Sequence, residues 1–307
     1  MMFAELFYWV LNMSIIGSLT GLILLILRQI KPLPKFSIYV LWLLPLFRLW
    51  IPVGLSSPFS LLSLISHFTT KAVVLWDSVP AMPDFTSLNC VMAADHYFPL
   101  TYKTVHLERF FEVSSLIWLI GTSVAILTTT VLYFLTKSEL KSAEHLRENL
   151  YQSDKICTPA VYGIVKPKII LPKQLARENT DYICLHEKVH IHRRDNLWRM
   201  IAIITACVHW YNPLVWLFLK CFFIDMELAC DAKVAKQLDD DARKVYAHAG
   251  LSVSSGKTYF ASAFGGSKIK VRIENILSYK KLTVFSGAFC ALFIALLVVF
   301  LATNAVV

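Results

Sequence analysis

The reading of this chain turns on the stretch from His186 to Asp231: His186-Glu187-Lys188-Val189-His190, then MIAIITACVHWYNPLVWLFL (200–219), then Glu227-Leu228-Ala229-Cys230-Asp231. The middle part carries no Asp, Glu, Lys or Arg, so a hydropathy window alone reads it as a membrane-spanning helix. The flanks argue otherwise. HExxH on a helix sets two imidazoles one turn apart on one face, where both reach a single zinc ion at about 2.0 Å. Sites of this kind take a third ligand from a glutamate further along the chain and leave the fourth position for water, and Glu227 is placed for that role. A spanning segment would hold the two flanks about 30 Å apart, whereas metal bonds need them within a few ångströms. Tyr211-Asn212-Pro213 resolves the conflict, because Asn-Pro is a turn signal and proline suits the first position of a new helix. The sequence therefore predicts a helical hairpin over 197–224, turning near 209–213. At 1.5 Å per residue, His190 stands about 27 Å above Val208 and Glu227 about 21 Å above Pro213, a mismatch of about one turn. The apolar tip is expected to re-enter the bilayer or to pack against spanning helices.

The chain as a whole is apolar too. Of 307 residues 56 % are hydrophobic and only 17 % charged, with mean hydropathy +0.57, which excludes an ordinary soluble enzyme and intrinsic disorder. Four stretches are long enough to cross a bilayer core: 6–27, 36–54, 113–135 and 283–303. The first lacks a basic leader region and a small-residue cleavage site, and is expected to be retained. The second contains Pro45 and Arg48; an arginine at that depth snorkels near a helix end or pairs with an acidic group inside the bundle. Seven cysteines form no CxxC pair and lie mostly in apolar surroundings, so they are expected to act as small buried side chains.

Charge sets the expected orientation. The formal net charge is +9, and residues 136–281 hold 23 of the 30 basic residues against 15 of the 21 acidic ones. The 55–111 loop carries Lys71, Lys103 and Arg109 against four acidic residues, whereas the short 29–35 connection carries Lys31 and Lys35. The positive-inside rule places 29–35 and 136–281 in the cytoplasm, and the 55–111 loop and both termini outside. The expected fold class is mostly α: a four-helix integral membrane protein, multi-pass in the cell membrane. Its membrane domain covers 1–135, its cytoplasmic gluzincin-like zinc metalloprotease domain 136–281, and its fourth transmembrane helix 282–307. Within the middle domain, KSELKSAEHLRENL (137–150) reads as a polar helix and VYGIVKPKIILP (161–172) as a strand or hairpin. The positive charge marks this domain and the anionic inner leaflet; no direct contact with nucleic acid is expected.

Site roles follow from spacing. His186, His190 and Glu227 are the candidate zinc ligands, Glu187 the candidate general base, and Asp231, one turn beyond Glu227, a partner for a ligand imidazole N–H. His192 is two residues past His190 and points off the metal face. His209 sits at the hairpin turn, remote from the site. Arg193, Arg194 and Asp195 read as a solvated or headgroup-facing cluster.

HEKVHIHRRDNLW (186–198), HWYNPLVWL (209–217) and DMELACD (225–231), with VRIENIL (271–277) and the four-helix plan, make the chain similar to the membrane zinc metallopeptidases of the BlaR/MecR antirepressor family. That resemblance implies zinc on His186, His190 and Glu227, Glu187 as base, a cytoplasm-facing site, and a cytoplasmic repressor as a candidate substrate. Sensor members carry an extracellular penicillin-binding domain after the last helix; this sequence stops at Val307, so direct antibiotic sensing is not carried over, and the 55–111 loop is the expected receiver of an outside signal. Sensor members also cut themselves, and ASAFGGSKIK (261–270) is a loop where such a cut could fall.

In the expected chemistry zinc acidifies water, Glu187 takes the proton and later gives it to the leaving amine. Substrates are expected to be cytoplasmic or membrane-apposed polypeptides, and a homo-oligomer is compatible with the sequence. An intramembrane site-two-type protease fits less well, because Gln237-Leu238-Asp239-Asp240-Asp241 lacks the glycine of that family's LDG motif. A zinc-stabilised scaffold subunit without catalysis is the alternative from another class; a transporter needs several polar groups within the spanning helices, and only Arg48 qualifies.

Overall fold

The computed structural model describes residues 2–30, 33–51, 55–64, 107–156, 158–173, 175, 180–253, 269–279 and 283–304. Most of the 55–111 loop and most of the 261–270 stretch lie outside the described residues. The chain is mostly helical: α1 (Met2–Leu27), α2 (Lys35–Leu41), α3 (Leu43–Trp50), α4 (Leu107–Glu139), α5 (Thr180–Arg193), α6 (Asp195–Val208), α7 (Pro213–Ala235), α8 (Asp240–Val253), α9 (Ile269–Leu277) and α10 (Val284–Ala302). Four short strands, β1 (Glu144–Arg147), β2 (Leu150–Ser153), β3 (Ala160–Tyr162) and β4 (Lys168–Pro172), lie between α4 and α5.

Among the described residues three helices are long and apolar enough to cross a membrane: Phe3–Leu27, Arg109–Ser138 and Val284–Ala302. The expected span over 36–54 differs. It is two short helices broken at Trp42, where Pro45 lacks an N–H and its ring crowds the carbonyl of residue 41. At 1.5 Å per residue the pair reaches about 24 Å, short of the hydrocarbon thickness. Arg48 neither snorkels nor meets an acidic group among the described residues. It is 2 % exposed and donates to the backbone oxygens of Leu301 and Thr303 and to Asn304 Oδ1, satisfying carbonyls at the C-terminal end of α10 that have no partner within their helix.

The 137–150 segment also differs from expectation. The helix ends at Glu139 and β1 pairs antiparallel with β2, His145 opposite Tyr151. The chain reverses at Glu148, whose φ of 45° lies in the left-handed region. Helix-favouring residues lose here to tertiary pairing: β2 runs parallel to β4, covering Ile169 and Leu171, while β3 closes the other edge in the order β1-β2-β4-β3. The hairpin β3–β4 occupies 160–172, against the 161–172 read from the sequence, and Gly163 (φ 92°) opens its turn, where a Cβ would meet Lys166 O at 2.9 Å.

Helices α6 and α7 form a hairpin whose turn occupies His209–Asn212. Asn212 Oδ1 accepts from Leu214 N at 3.0 Å and Pro213 occupies the first turn of α7. The tip reaches the middle of α1: Asn212 Nδ2 donates to Ser14 and Ser18 Oγ, both at 2.7 Å, and Tyr211 to Val10 O. Trp118 Nε1 donates to Val208 O at 2.8 Å, and Trp210 fills the space that a side chain at Gly121 would need. The irregular turn is thus covered by protein, the condition under which such backbone is tolerated at membrane depth. Farther along, Phe218, Leu219, Phe222 and Met226 of α7 pack with Leu24, Trp42 and Leu49 into the main core.

Candidate metal centre

The centre sits beyond the C-terminal end of α1, where α5, α6, α7 and α9 meet. HExxH occupies α5, with His186, Glu187 and His190 all buried. The chain then reverses at Arg194, which has φ 55°, so that α6 starts beside the end of α5. That sharp elbow returns Asp195 onto His190: Asp195 Oδ2 lies 2.6 Å from His190 Nδ1. The hairpin in turn returns Glu227 of α7 to the same place.

His186 Nε2 and His190 Nε2 are 3.1 Å apart, Glu227 Oε2 is 3.4 Å from the former and Glu227 Oε1 is 3.6 Å from the latter. Ligands at 2.0–2.1 Å from a tetrahedral zinc are separated by about 3.3 Å. This donor set therefore fits the ion that the sequence calls for. Glu187 follows His186 on the same turn and is 8 % exposed. His192 is exposed and His209 is at the hairpin turn, its Nε2 3.2 Å from Leu49 O, so neither joins the cluster.

Both imidazoles are oriented by buried carboxylates. Asp231, fully buried, has Oδ1 3.3 Å from His186 Nδ1 and accepts a 2.7 Å hydrogen bond from Tyr246 Oη, which itself lies 2.8 Å from His186 Nδ1. Asp195 serves His190 in the same way and also accepts from Tyr39 Oη at 2.9 Å. The expected solvated cluster at 193–195 is thereby corrected: Asp195 is fully buried, and the Arg193 guanidinium stacks on the Tyr39 ring at 4.2 Å. Sequence spacing hid this because Asp195 follows the helix break and reaches His190 through the reversal, not along one helical face. Replacing Asp195 with Asn is expected to loosen zinc about 10- to 100-fold, read by competition with a chromophoric chelator.

Cys230 is the other residue missed. Its Sγ and the two imidazoles lie within 4.8 Å of one another, and position 230, three residues past Glu227, shares that residue's helical face. Its thiol faces His186 O at 3.5 Å, while one oxygen of Glu227 faces each Nε2 atom, so both side chains stand where a third donor would be needed.

Charges around the centre are strongly coupled. Burial disfavours ionisation of Glu227, but the imidazoles and Arg272 hold its carboxyl well below the usual range. Asp231 is lowered likewise: burial opposes it and Arg272 and His186 prevail. Burial pulls both histidines down, yet Cys230, Tyr246 and Asp231 hold His186, and Cys230, Glu227 and Asp195 hold His190, well above the ordinary imidazole value. Glu227 Oε1 also accepts from Arg199 Nη2 at 2.7 Å. A groove of about 340 Å³ between the β3–β4 turn and the α5–α6 elbow, lined by Val161, Ile164, Pro167, Arg194 and Leu197, reaches His190.

A family profile described as BlaR1 peptidase M56 matches residues 8–276. The regulatory protein BlaR1 of Bacillus licheniformis is 31 % identical over 159 residues, 48 % of this chain and 26 % of that protein. The methicillin resistance mecR1 protein of Staphylococcus aureus (strain Mu50 / ATCC 700699) is 28 % identical over 138 residues, 41 % of this chain and 24 % of that protein. The regulatory protein BlaR1 of Staphylococcus aureus is 27 % identical over 161 residues, 48 % and 28 % of the two chains. Each match thus spans about a quarter of the relative's length.

Proposed function

Because the chain belongs to the BlaR1 peptidase M56 family, we propose that it is a membrane-embedded zinc metallopeptidase that hydrolyses peptide bonds of cytoplasmic or membrane-apposed proteins. The observation that carries this reading is the convergence of His186, His190 and Glu227 from two separate helices: the two Nε2 atoms stand 3.1 Å apart, with Glu227 Oε2 3.4 Å from that of His186 and Glu227 Oε1 3.6 Å from that of His190.

His186, His190 and Glu227 would hold the zinc, with Asp231 and Asp195 fixing the tautomers of the two imidazoles. Zinc in such a site supplies Lewis acidity that brings the pKa of water towards about 7 and polarises a scissile carbonyl. Glu187 takes the proton of the attacking water and passes it to the departing amine nitrogen, so one carboxylate serves as base and then as acid. An extended segment of the substrate has a path through the groove at His190. Sidedness follows the charge count: the centre lies on the side where basic residues are in excess, the cytoplasmic side by the positive-inside rule. Relatives whose names describe them as regulatory make a transcriptional repressor the first substrate to try, and the chain a step in a signalling pathway.

Metal analysis of the purified protein tests the reading: about one zinc per chain is expected, lost in His186→Ala. Intact protein without zinc would contradict it. Affinity should also depend on pH, since imidazole binds metal only when neutral. With both histidines raised above 6.5, zinc binding is strong above their folded values, and its weakening on acidification begins at higher pH than for free imidazole. A chelator titration that stays flat from about pH 8 to about pH 5 would contradict that assignment.

A further inference from the structure

Arg272 stands outside HExxH and the glutamate segment, yet it joins the two carboxylates of the centre. Its Nε donates to Asp231 Oδ2 at 2.7 Å and its Nη2 to Asp231 Oδ1 at 2.8 Å, a two-pronged hold, while Nη1 stands 3.7 Å from Glu227 Oε2. The buried Asp231 carboxylate needs such a partner, because an uncompensated charge in the interior is costly. Without the guanidinium, Asp231 would face Glu227 across one helical turn as a like charge, held among the described residues by a hydrogen bond from Tyr246 alone, and Glu227 by one from Arg199 alone, so neither carboxylate would be fixed on the side that faces the other.

The element that carries Arg272 is docked for this purpose at two further points. Asn275 Nδ2 donates to Leu228 O at 3.0 Å, and Ile276 is buried with Val189, Cys230, Val234 and Tyr246. The two polar contacts of α9 fall on the single turn of α7 that runs from Glu227 to Asp231, and Ile276 packs beside Cys230 of that turn while also meeting α5 and α8. The same α9 leads through residues 278–283 into α10, so the residue that completes the centre is carried by the segment entering the last apolar helix.

We propose that Arg272 is a positioning residue of the metal centre: from α9 it sets Asp231 and Glu227 in the geometry that binds zinc. This inference rests on the metallopeptidase reading. Its test uses the full chain in nanodiscs, with zinc affinity measured by chelator competition and melting of the zinc-free protein measured in parallel. Arg272→Gln is expected to weaken zinc at least about tenfold. Arg272→Lys should recover part of that loss, because an ammonium keeps the charge but cannot fork across Asp231 and reach Glu227. In the pair Asp231→Asn with Arg272→Gln, the buried charge is gone, so melting of the zinc-free protein should return towards that of the parent while zinc stays weakly bound; this separates positioning from folding. Zinc affinity of Arg272→Gln within twofold of the parent, or recovery of zinc affinity together with melting in the double variant, would overturn the inference. Parent protein that binds no zinc would instead overturn the metallopeptidase reading itself.

Discussion

On the proposed function, Glu187→Gln is expected to leave zinc in place and to remove proteolysis. Gln keeps the shape of the side chain and a polar end, but it cannot take a proton from water. The loss expected for removal of a general base is about 10²- to 10⁴-fold in turnover, while the donor triangle of His186, His190 and Glu227 is untouched. The measurement compares the membrane and soluble proteomes of cells carrying the intact protein with those of cells carrying Glu187→Gln, and looks for fragments made only by the former. A small helix-turn-helix repressor among those fragments would fix the signalling role. Unchanged processing by Glu187→Gln would show that the residue is not the base and would favour a scaffold in which zinc serves folding alone.

Asp225→Ala has the largest expected effect on stability. Asp225 is 4 % exposed and accepts from Arg28 Nε at 3.1 Å, Arg28 Nη2 at 2.9 Å and Trp42 Nε1 at 2.8 Å. One carboxylate thus ties the end of α1 and the break between α2 and α3 to α7, two residues before Glu227. Truncation leaves a half-buried guanidinium without its anion and an indole N–H without an acceptor, a loss of about 3–5 kcal/mol by comparison with other broken buried pairs. Unfolding in detergent should shift to lower temperature, and Asp225→Asn, which keeps an acceptor for Trp42, should shift it less. Equal melting of Asp225→Ala and the parent would mean that the joint contributes nothing to the fold.

Local signals in the sequence went far towards this arrangement. Asn212-Pro213 marks the turn because its causes are local, a side-chain cap and a proline in the first helical turn. The HExxH face and Glu227 converge because a hairpin of nearly equal arms brings them together, a matter of residue counting. What could not be read depends on contacts between distant segments. Tyr39 and Asp195 lie 156 residues apart, and Arg272 meets Asp231 across 41; no periodicity announces either. The helix expected at 137–150 gave way to β1 and β2 because a parallel partner in β4 was there to pair. Over 36–54 the apolar count outweighed Pro45, although the proline was the better guide to a break. The cysteines were read as a class of small buried side chains, and that average concealed Cys230, whose position on the face of Glu227 sets it beside both imidazoles.

Among the described residues Glu227 and Cys230 both stand where they could complete the site, and X-ray absorption at the zinc edge separates them. The account predicts a shell of nitrogen and oxygen alone at about 2.0–2.1 Å, with the outer-shell scattering of two imidazoles. A sulfur at about 2.3 Å, or a shell with fewer than two imidazoles, would contradict the assignment of His186, His190 and Glu227 as the ligands.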